Sequence, residues 1–250
     1  MSVEISNEPV ILSQAERKLA VNLAFASRML SGSGHDDFNQ GQVSARMPGS
    51  SRFLIKGALR GFSEATPTDM VVGFVDHEMT VDRMAPPELP LHQAIYVARP
   101  DVNAIVHSHA PHSLVFGALD AEIEPISHEG ALFQDSCPRF DLTSNTVLDI
   151  ETGNAIAVTL GANPGVFLRN HGGVLVGRTL RHAAVGAQLL ERACRLQLLA
   201  MQTRLPYSVS NADDVRAKRD YIYGDDAVKT YWDYSVRTVK QTWPQTQEWR

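Results

Sequence analysis

The chain has 250 residues, of which 44% are hydrophobic and 20% are charged, and its net charge is −5. This composition is typical of a soluble globular protein and excludes intrinsic disorder. The acidic balance argues against nucleic acid as a partner, because a surface that follows phosphates needs a basic excess. Membrane insertion is not expected either, since no apolar run approaches the roughly 18 residues of a membrane span.

Two features of the sequence favour the cytoplasm. The stretch Met1–Val10 contains Glu4 and Glu8 but no basic segment, which is not the pattern of a secretory signal. Cys137 and Cys194 form neither a disulfide framework nor a pair of metal ligands, and this sparse use of cysteine is typical of a reducing compartment.

The first part of the chain predicts one helix followed by short strands. Ser13 and Glu16 form a capping box before a helical pattern that runs from Ala15 to Leu30 and ends in a Ser-Gly-Ser-Gly stretch. The strand candidates that follow are Val43, Ala45, Phe53–Ile55 and Met70–Val75.

Helices and strands are interspersed through the rest of the chain. The predicted helices are 86–98, one that starts at Pro111, 179–201 and 212–241. The predicted strands are 102–107, 155–160, 166–168 and 174–176. The pattern indicates an α/β or α+β fold in a single domain, 1–250, with a helical C-terminal tail at about 212–250.

Histidines mark the end of the best predicted strand. His107 and His109 are two residues apart, so they lie on one face of the strand and their imidazoles can converge on one ion. The alternative interpretation is a pair of strand-end histidines that bond to water or backbone. His112 raises the local density of histidines, or serves only to cap or pack the next helix.

His171 is the third candidate ligand. It lies in the stretch Asn170-His171-Gly172-Gly173 between two apolar runs, a pattern that predicts a tight hairpin or bulge presenting the histidine. Three neutral imidazoles leave coordination positions open, as in a catalytic rather than a structural metal site. Such a set fits Zn²⁺ best by ligand preference, with Mn²⁺, Fe²⁺ and Co²⁺ as alternatives.

Glu88 is the candidate acid/base. It lies in the predicted first turn of helix 86–98, where a carboxylate either complements the helix dipole or acts as a general acid/base beside a metal. His92 follows four residues later on the same helical face, where it would orient Glu88 or line the cleft.

These residues together carry a family resemblance. Glu88 with His92, then Ala-Ile-Val-His-Ser-His at 104–109, then Leu-Arg-Asn-His-Gly at 168–172 resemble the class II aldolase/adducin family, over about 14–202. That family includes fuculose-phosphate and rhamnulose-phosphate aldolases and ribulose-phosphate epimerases. The resemblance implies a three-layer α/β/α domain around a mostly antiparallel sheet, and often a four-fold tetramer with active sites at subunit interfaces.

The resemblance also implies a metal site and a role for each of its residues. One divalent ion per subunit, Zn²⁺ or Mn²⁺, would be bound by His107, His109 and His171, with Glu88 as the acid/base. Adducin-like members keep the fold without the chemistry. This chain retains the acid and all three ligand positions, which favours an enzyme.

The chain departs from the family's sugar-phosphate aldolases where they bind phosphate. Those enzymes read Thr-Ser-Gly-Asn near the first strands and Ser-Ser-Glu before the acid, whereas this chain reads Asp-Phe-Asn-Gln-Gly-Gln-Val-Ser at 37–44 and Pro86-Pro87-Glu88. Proline has neither a hydroxyl nor an N–H to donate. A phosphate would therefore lose several donors here.

Two other stretches, 126–130 and 138–140, look more like the decarboxylase branch of the family, which includes hydroxymethylpyridine dicarboxylate and dihydroxyphthalate decarboxylases. On this interpretation Arg99 or Arg139 binds a substrate carboxylate with both guanidinium nitrogens, although either is equally typical of a surface arginine. His128 either supports the site or is only a loop histidine.

The favoured hypothesis is a metal-dependent carbon–carbon lyase that decarboxylates a small hydroxylated, aromatic or heteroaromatic carboxylate. Retro-aldol cleavage of a hydroxy-keto acid or sugar phosphate is the alternative. A non-catalytic, adducin-like interaction module would hold no metal. An epimerase fits less well, because that branch usually has Asp where Glu88 stands.

Overall fold

The computed structural model describes residues 11–77 and 83–249, together with the backbone of Ile5–Ser6 and Val81–Asp82. The expectation for Met1–Val10 therefore lies outside the described side chains. The strands are β1 Ile5–Ser6, β2 Gln42–Arg46, β3 Arg52–Lys56, β4 Met70–Phe74, β5 Val81–Asp82, β6 Ala104–Ser108, β7 Arg139–Phe140, β8 Gly165–Leu168 and β9 Gly172–Gly177. The helices are α1 Gln14–Leu30, α2 Leu89–Ala98, α3 Pro111–Ala118, α4 His128–Phe133, α5 Ile150–Leu160, α6 Leu180–Gln202, α7 Ala212–Ile222 and α8 Asp225–Thr242.

Seven strands form the central sheet, in the order β4-β3-β2-β6-β9-β8-β7. Neighbouring strands are antiparallel except for β7 and β8, which are parallel. β1 and β5 form a separate parallel pair. The mostly antiparallel sheet predicted from the family resemblance is confirmed.

The two faces of the sheet have separate hydrophobic cores. Leu54, Val106 and Leu175 pack on one side with α1 and α6. Ile105 and Val174, which precede Val106 and Leu175 in their strands, pack on the other side with α2 and α5. Because side chains alternate along a strand, this division makes three layers and confirms the α/β/α fold.

The predicted C-terminal tail packs on the first of these cores. Two helices, α7 and α8, replace the single predicted one, and the break falls at Tyr223 and Gly224. Trp232 and Val239 of α8 are buried in the core that α1 and α6 share. None of the helices in the described part of the chain has the length and apolarity that crossing a bilayer requires. The single-domain assignment stays a prediction.

The prediction of a strand at 155–160 was wrong, because this segment belongs to α5. Asp149 caps that helix by accepting from the backbone N–H of Thr152 at 2.7 Å. Ile156, Ala157 and Leu160 are buried on one side of α5. In a six-residue apolar run this helical spacing is hard to distinguish from a buried strand.

Close contact between α5 and α2 positions the residue that precedes α2, Glu88. A Cβ atom at Gly153 would lie 2.7 Å from the carbonyl oxygen of Pro90 and 3.0 Å from Cβ of Ala94. Only glycine fits this contact without displacing the backbone of α2. Glu88 itself is the N-cap residue of α2 rather than a member of its first turn, which corrects the expected position.

We expect Gly153→Ala to lower the free energy of unfolding by about 1–3 kcal/mol, because the added methyl overpacks the α2–α5 contact. Alanine normally stabilises a helix relative to glycine, so a decrease in the free energy of unfolding would indicate that the α2–α5 contact decides the effect. Urea denaturation measures the change. The control is Val158→Ala on the same helix, where the side chain is 80% exposed and a change within about 0.5 kcal/mol is expected. A Gly153→Ala variant as stable as the parent would contradict the interpretation.

Candidate metal centre

His107 lies in the middle of the sheet, near the end of β6. Its backbone pairs with Gln42 of β2 on one side and with Val174 of β9 on the other. The imidazole is fully buried, and its Nδ1 lies 3.0 Å from the carbonyl oxygen of Gly173. Since a carbonyl can only accept, Nδ1 keeps its proton in either charge state, and Nε2 has the lone pair when the ring is neutral. Burial lowers the pKa of His107, but the charge of Glu88 outweighs burial and raises it, so in the absence of a cation Glu88 favours the charged ring.

His109 follows directly after β6, and its Nδ1 is also hydrogen-bonded, in this case to a side chain. Its Nδ1 lies 2.8 Å from Oδ2 of Asp37, in the loop before β2. The carboxylate accepts the Nδ1 hydrogen, which again leaves the Nε2 lone pair free. Burial and the neighbouring charge of His107 lower the pKa of His109, so the neutral ring is favoured.

His171 lies in the tight turn between β8 and β9, as the hairpin prediction states. Asn170 occupies the left-handed region with φ of 58°, which asparagine tolerates better than most residues. A Cβ atom at Gly172 would lie 2.5 Å from the carbonyl oxygen of Ser108 and 2.8 Å from the ring of His109. The absent side chain of Gly172 therefore lets the hairpin approach the end of β6.

Glu88 approaches the histidines from α2. Its Oε2 lies 3.2 Å from Nε2 of His107 and its Oε1 3.3 Å from Nε2 of His171. The amide of Gln42 donates to Oε2 at 3.3 Å, and the backbone N–H of Val147 donates to Oε1 at 3.1 Å. Burial favours the neutral acid, but attraction to His107 and His171 outweighs burial and holds the pKa of Glu88 below its usual range.

The donor atoms of these four residues form one compact cluster. One ligand atom from each of Glu88, His107, His109 and His171 lies within 4.8 Å of all the others. The Nε2 atoms of His107 and His109 are buried without a hydrogen-bond partner, although Glu88 is close to His107. Buried nitrogen lone pairs left without a donor, beside a carboxylate, are the donor set of a divalent cation. The four residues therefore fit the ion that the sequence predicts.

His92 lies behind the cluster and belongs to a separate hydrogen-bonded chain. Its Nδ1 is 2.7 Å from Oγ of Ser44, and that hydroxyl is 2.8 Å from the hydroxyl of Tyr96. Burial first, and then the charge of His107, lower the pKa of His92 to about 3, so its ring is neutral. Within the described contacts His92 has no hydrogen bond to Glu88, so it does not orient that carboxylate directly.

The structure does not bring Arg99 to the cluster. Arg99 ends α2, ten residues after its first residue, whereas Glu88 precedes that helix. Its guanidinium bonds to both carboxylate oxygens of Asp101, at 2.8 and 2.7 Å, and to the carbonyl oxygen of Gly161. Within this chain those bonds occupy the donors that a substrate carboxylate would need.

Arg139 and His128 make none of the described contacts with the four cluster residues. Arg139 pairs with Glu122 at 3.1 Å and lies over the ring of Phe167. His128 is the exposed first residue of α4, which packs on α6 and α7. His112 does not cap α3 itself: Glu191 of α6 accepts from the backbone N–H groups of His112 and Ser113, and the His112 ring contacts the same carboxylate.

Three residues of the site were not predicted as such: Asp37, Gln42 and Lys56. Gln42 could have been predicted from the sequence, since it pairs with His107 when the two predicted strands lie side by side. Nothing in the sequence indicates the role of Lys56, because lysine is rarely buried. It is nonetheless fully buried, and its ammonium donates to the carbonyl oxygens of Asn39 at 3.2 Å and Gly57 at 3.1 Å, and to that of Arg60.

We expect Asp37→Asn to weaken metal binding by about 10–100-fold, because an amide no longer fixes the Nδ1-protonated form of His109. Competition with a chromogenic chelator measures the affinity for Zn²⁺ and Mn²⁺. The matched control is Asp120→Asn, an exposed carboxylate that pairs with Arg169. Equal affinities for Asp37→Asn and the parent would show that Asp37 does not act on the ligand.

Two curated relatives from Streptomyces align with just over half of the chain. One, from Streptomyces roseochromogenus subsp. oscitans, is named 4-hydroxy-3-prenylphenylpyruvate oxygenase/4-hydroxy-3-prenylbenzoate synthase; it is 35% identical over 142 residues, which are 56% of this chain and 51% of that protein. The other, decarboxylase NovR of Streptomyces niveus, is 34% identical over 142 residues, or 56% of this chain and 53% of that protein. The alignments thus span about half the length of these relatives.

A solved structure shows the same fold over nearly the whole chain. It is an aldolase II superfamily protein from Pseudomonas syringae, with a TM-score of 0.81 and 24% identity, covering 93% of this chain and 96% of the other. The family model for the class II aldolase and adducin N-terminal domain matches residues 21–198, a range that includes Glu88 and all three histidines. The chain belongs to the class II aldolase and adducin family.

Proposed function

We propose that the protein is a metal-dependent carbon–carbon lyase that decarboxylates a small hydroxylated aromatic or heteroaromatic carboxylate. The observation that carries the proposal is the convergence of Glu88 with three imidazoles, of which His107 and His109 present buried, unpartnered Nε2 atoms. Family membership and a relative named as a decarboxylase support a metal-dependent lyase. The other relative's name contains a hydroxylated benzoate, which supports an aromatic acid as the substrate class.

The three histidines are the proposed ligands of one divalent ion per subunit, Zn²⁺ or Mn²⁺. Imidazole nitrogens suit both ions, and three protein ligands leave positions for substrate oxygens. A bound ion supplies a Lewis acid that draws electron density from a substrate hydroxyl and an adjacent carboxylate oxygen. Gly173 and Asp37 keep two of the rings in the form whose Nε2 atoms can bind that ion.

Glu88 is the proposed proton carrier. When the bond to the departing carboxylate breaks, its electron pair stays on the ring carbon and carbon dioxide leaves. The carboxylate of Glu88 takes a proton from water and delivers it to that carbon, and the hydroxide left behind combines with the carbon dioxide as bicarbonate. Gln42 and the backbone of Val147 hold one Glu88 oxygen each, so the carboxyl group keeps a defined orientation during this transfer.

The polar groups near the cluster argue against a sugar phosphate as the substrate. Pro86 and Pro87 precede Glu88 and offer no donors. The amide of Gln42 is used by Glu88, and the amide of Asn39 is used by the carbonyl oxygen of Ala58. Few donors are therefore left near the site for a phosphate dianion.

Substrate carboxylate binding by Arg99 or Arg139 is not part of this proposal, because the guanidinium of each bonds within the chain. Assembly into a homo-oligomer stays a prediction, which light scattering measures. If a neighbouring subunit completes the site, the partner for the substrate carboxylate comes from that subunit.

We expect Glu88→Gln to reduce turnover by about 10²–10⁴-fold, because glutamine keeps the shape of the side chain but cannot carry the proton. Release of carbon dioxide is measured on a panel of hydroxylated aromatic and heteroaromatic dicarboxylates. Bound metal is measured in parallel by elemental analysis and should persist, since the histidines are intact. Glu151→Gln, an exposed carboxylate on α5, is the control. Full turnover by Glu88→Gln would refute the acid/base role.

We expect a chelator to abolish turnover and added Mn²⁺ or Zn²⁺ to restore it in the parent but not in His171→Ala. The reason is that His171 supplies one of three ligands, so its loss leaves too few donors to hold the ion. Assays for carbon dioxide, for aldehyde and for oxygen uptake separate the possible reactions. Aldehyde release from a hydroxy-keto acid would favour the retro-aldol alternative. A protein that holds no metal and responds to no substrate would be the adducin-like module.

A further inference from the structure

Phe38 has an unusual backbone conformation for its residue type. Four non-glycine residues of the described chain have positive φ: Phe38 at 50°, Asp135 at 57°, Asn170 at 58° and Arg204 at 56°. Aspartate and asparagine tolerate this region, and Arg204 closely follows the end of α6, where left-handed residues are common. Neither reason applies to Phe38, whose Cβ is disfavoured at positive φ.

Packing within the chain does not compensate for this unfavourable conformation of Phe38. Its side chain is 91% exposed, whereas the other eight phenylalanines are buried or half-buried. Strain that persists without burial occurs most often at binding and catalytic sites, where the surrounding structure enforces it. The observed outlier therefore points to an interaction outside the folded chain.

The surrounding structure does enforce the conformation. Lys56 holds the carbonyl oxygen of Asn39, and the amide of Asn39 donates to the carbonyl oxygen of Ala58 at 2.9 Å. A Cβ atom at Gly61 would lie 2.3 Å from the carbonyl oxygen of Phe38, so the two loops touch directly at this residue. Phe38 is thus exposed but fixed.

Phe38 lies in a short loop whose two ends contact the cluster. Asp37, the preceding residue, contacts His109 at 2.8 Å, and Gln42 at the other end of the same loop contacts Glu88 at 3.3 Å. Leu59, which is 65% exposed, lies on the loop to which Asn39 is bonded. The loop that contacts His109 and Glu88 therefore carries one exposed aromatic ring, and the loop bonded to it carries one exposed leucine.

We propose that the ring of Phe38 is a specificity-determining contact that packs against the planar ring of an aromatic carboxylate at the cluster of Glu88, His107, His109 and His171. This inference rests on the proposed function. The polar groups of such a substrate are satisfied at the cluster, which leaves its apolar ring to be covered. An aromatic side chain covers a flat ring with favourable geometry and loses little entropy, because the pinned loop has already been ordered.

The decisive variant is Phe38→Gly, because a contact role and a structural role predict opposite results. Glycine adopts positive φ freely, so the variant should melt at a temperature no lower than that of the parent. The KM for hydroxylated aromatic carboxylates should rise about tenfold with little change in kcat, since the lost contact binds substrate and does no chemistry. Phe38→Tyr keeps the ring and should keep the parent KM. Tyr221→Ala removes an exposed ring on α7 and serves as the control.

Direct binding separates this inference from the proposed function. The dissociation constants of hydroxylated aromatic carboxylates and of an aliphatic hydroxy-keto acid are measured by calorimetry on the Mn²⁺-loaded protein, whether or not turnover occurs. Weaker binding of the aromatic acids alone by Phe38→Gly supports the contact. Absence of turnover in the parent would refute the lyase proposal while the binding ratio still tests Phe38.

Three outcomes would overturn the inference. In the first, Phe38→Gly binds and converts aromatic acids as the parent does, or the parent binds none of them. In the second, Phe38→Gly melts well below the parent, which would make Phe38 a structural residue. In the third, light scattering shows that Phe38→Gly forms smaller assemblies than the parent, which would mean that the ring is covered by a second copy of the chain.

Discussion

Two hydrogen bonds donated by imidazole Nδ1 atoms determine what the cluster can bind. The carbonyl oxygen of Gly173 and the carboxylate of Asp37 each accept one Nδ1 hydrogen, from His107 and His109 respectively. A neutral imidazole has one proton, so each of these bonds places a lone pair on Nε2. Both Nε2 atoms are buried and unpartnered, an arrangement that costs free energy until an electron-pair acceptor binds there.

The sheet brings these partners together. β6 lies between β2 and β9, so His107 has Gln42 on one side and Val174, next to Gly173, on the other. Both faces of the sheet are covered by helices, and a shift of one residue would exchange the two cores. The packing that stabilises the fold therefore also sets the register that aligns the ligands. Glu88 reaches the histidines from the N-terminus of α2, and the position of that helix depends on the absence of a side chain at Gly153.

The parts of the site that could be predicted are those that local patterns encode. The His-x-His pair at the end of a β-branched run and the histidine before two glycines were identified, because strand alternation and hairpin geometry are local. The segment 155–160 was misassigned, since an apolar run of that length fits a buried strand as well as one face of a helix. Its cap at Asp149 was the local signal that separates the two.

Long-range partners explain the rest. The sequence offers Arg99 and Arg139 for carboxylate recognition, but both bond to carboxylates of their own chain, and no spacing in the sequence shows that pairing in advance. Asp37 and Lys56 act through residues brought close by folding, namely His109 and the carbonyl oxygen of Asn39. Single-sequence patterns thus identified candidate ligands but not the residues that orient them.

Several features that lower the stability of the fold are concentrated around the cluster. Besides the Nε2 atoms of His107 and His109, those of His35 and His92 are buried without a hydrogen-bond partner, and Phe38 has a backbone conformation that disfavours its side chain. Each of these features lowers stability, and all lie on or next to elements that contact the four donor residues. His35 bonds to Ser108, between two of the histidines, and Ser44 links His92 to Tyr96. Such a concentration is expected where a structure holds groups ready for an ion and a substrate. The free energy of binding then offsets the loss of folding stability, which nothing would offset in a purely structural region.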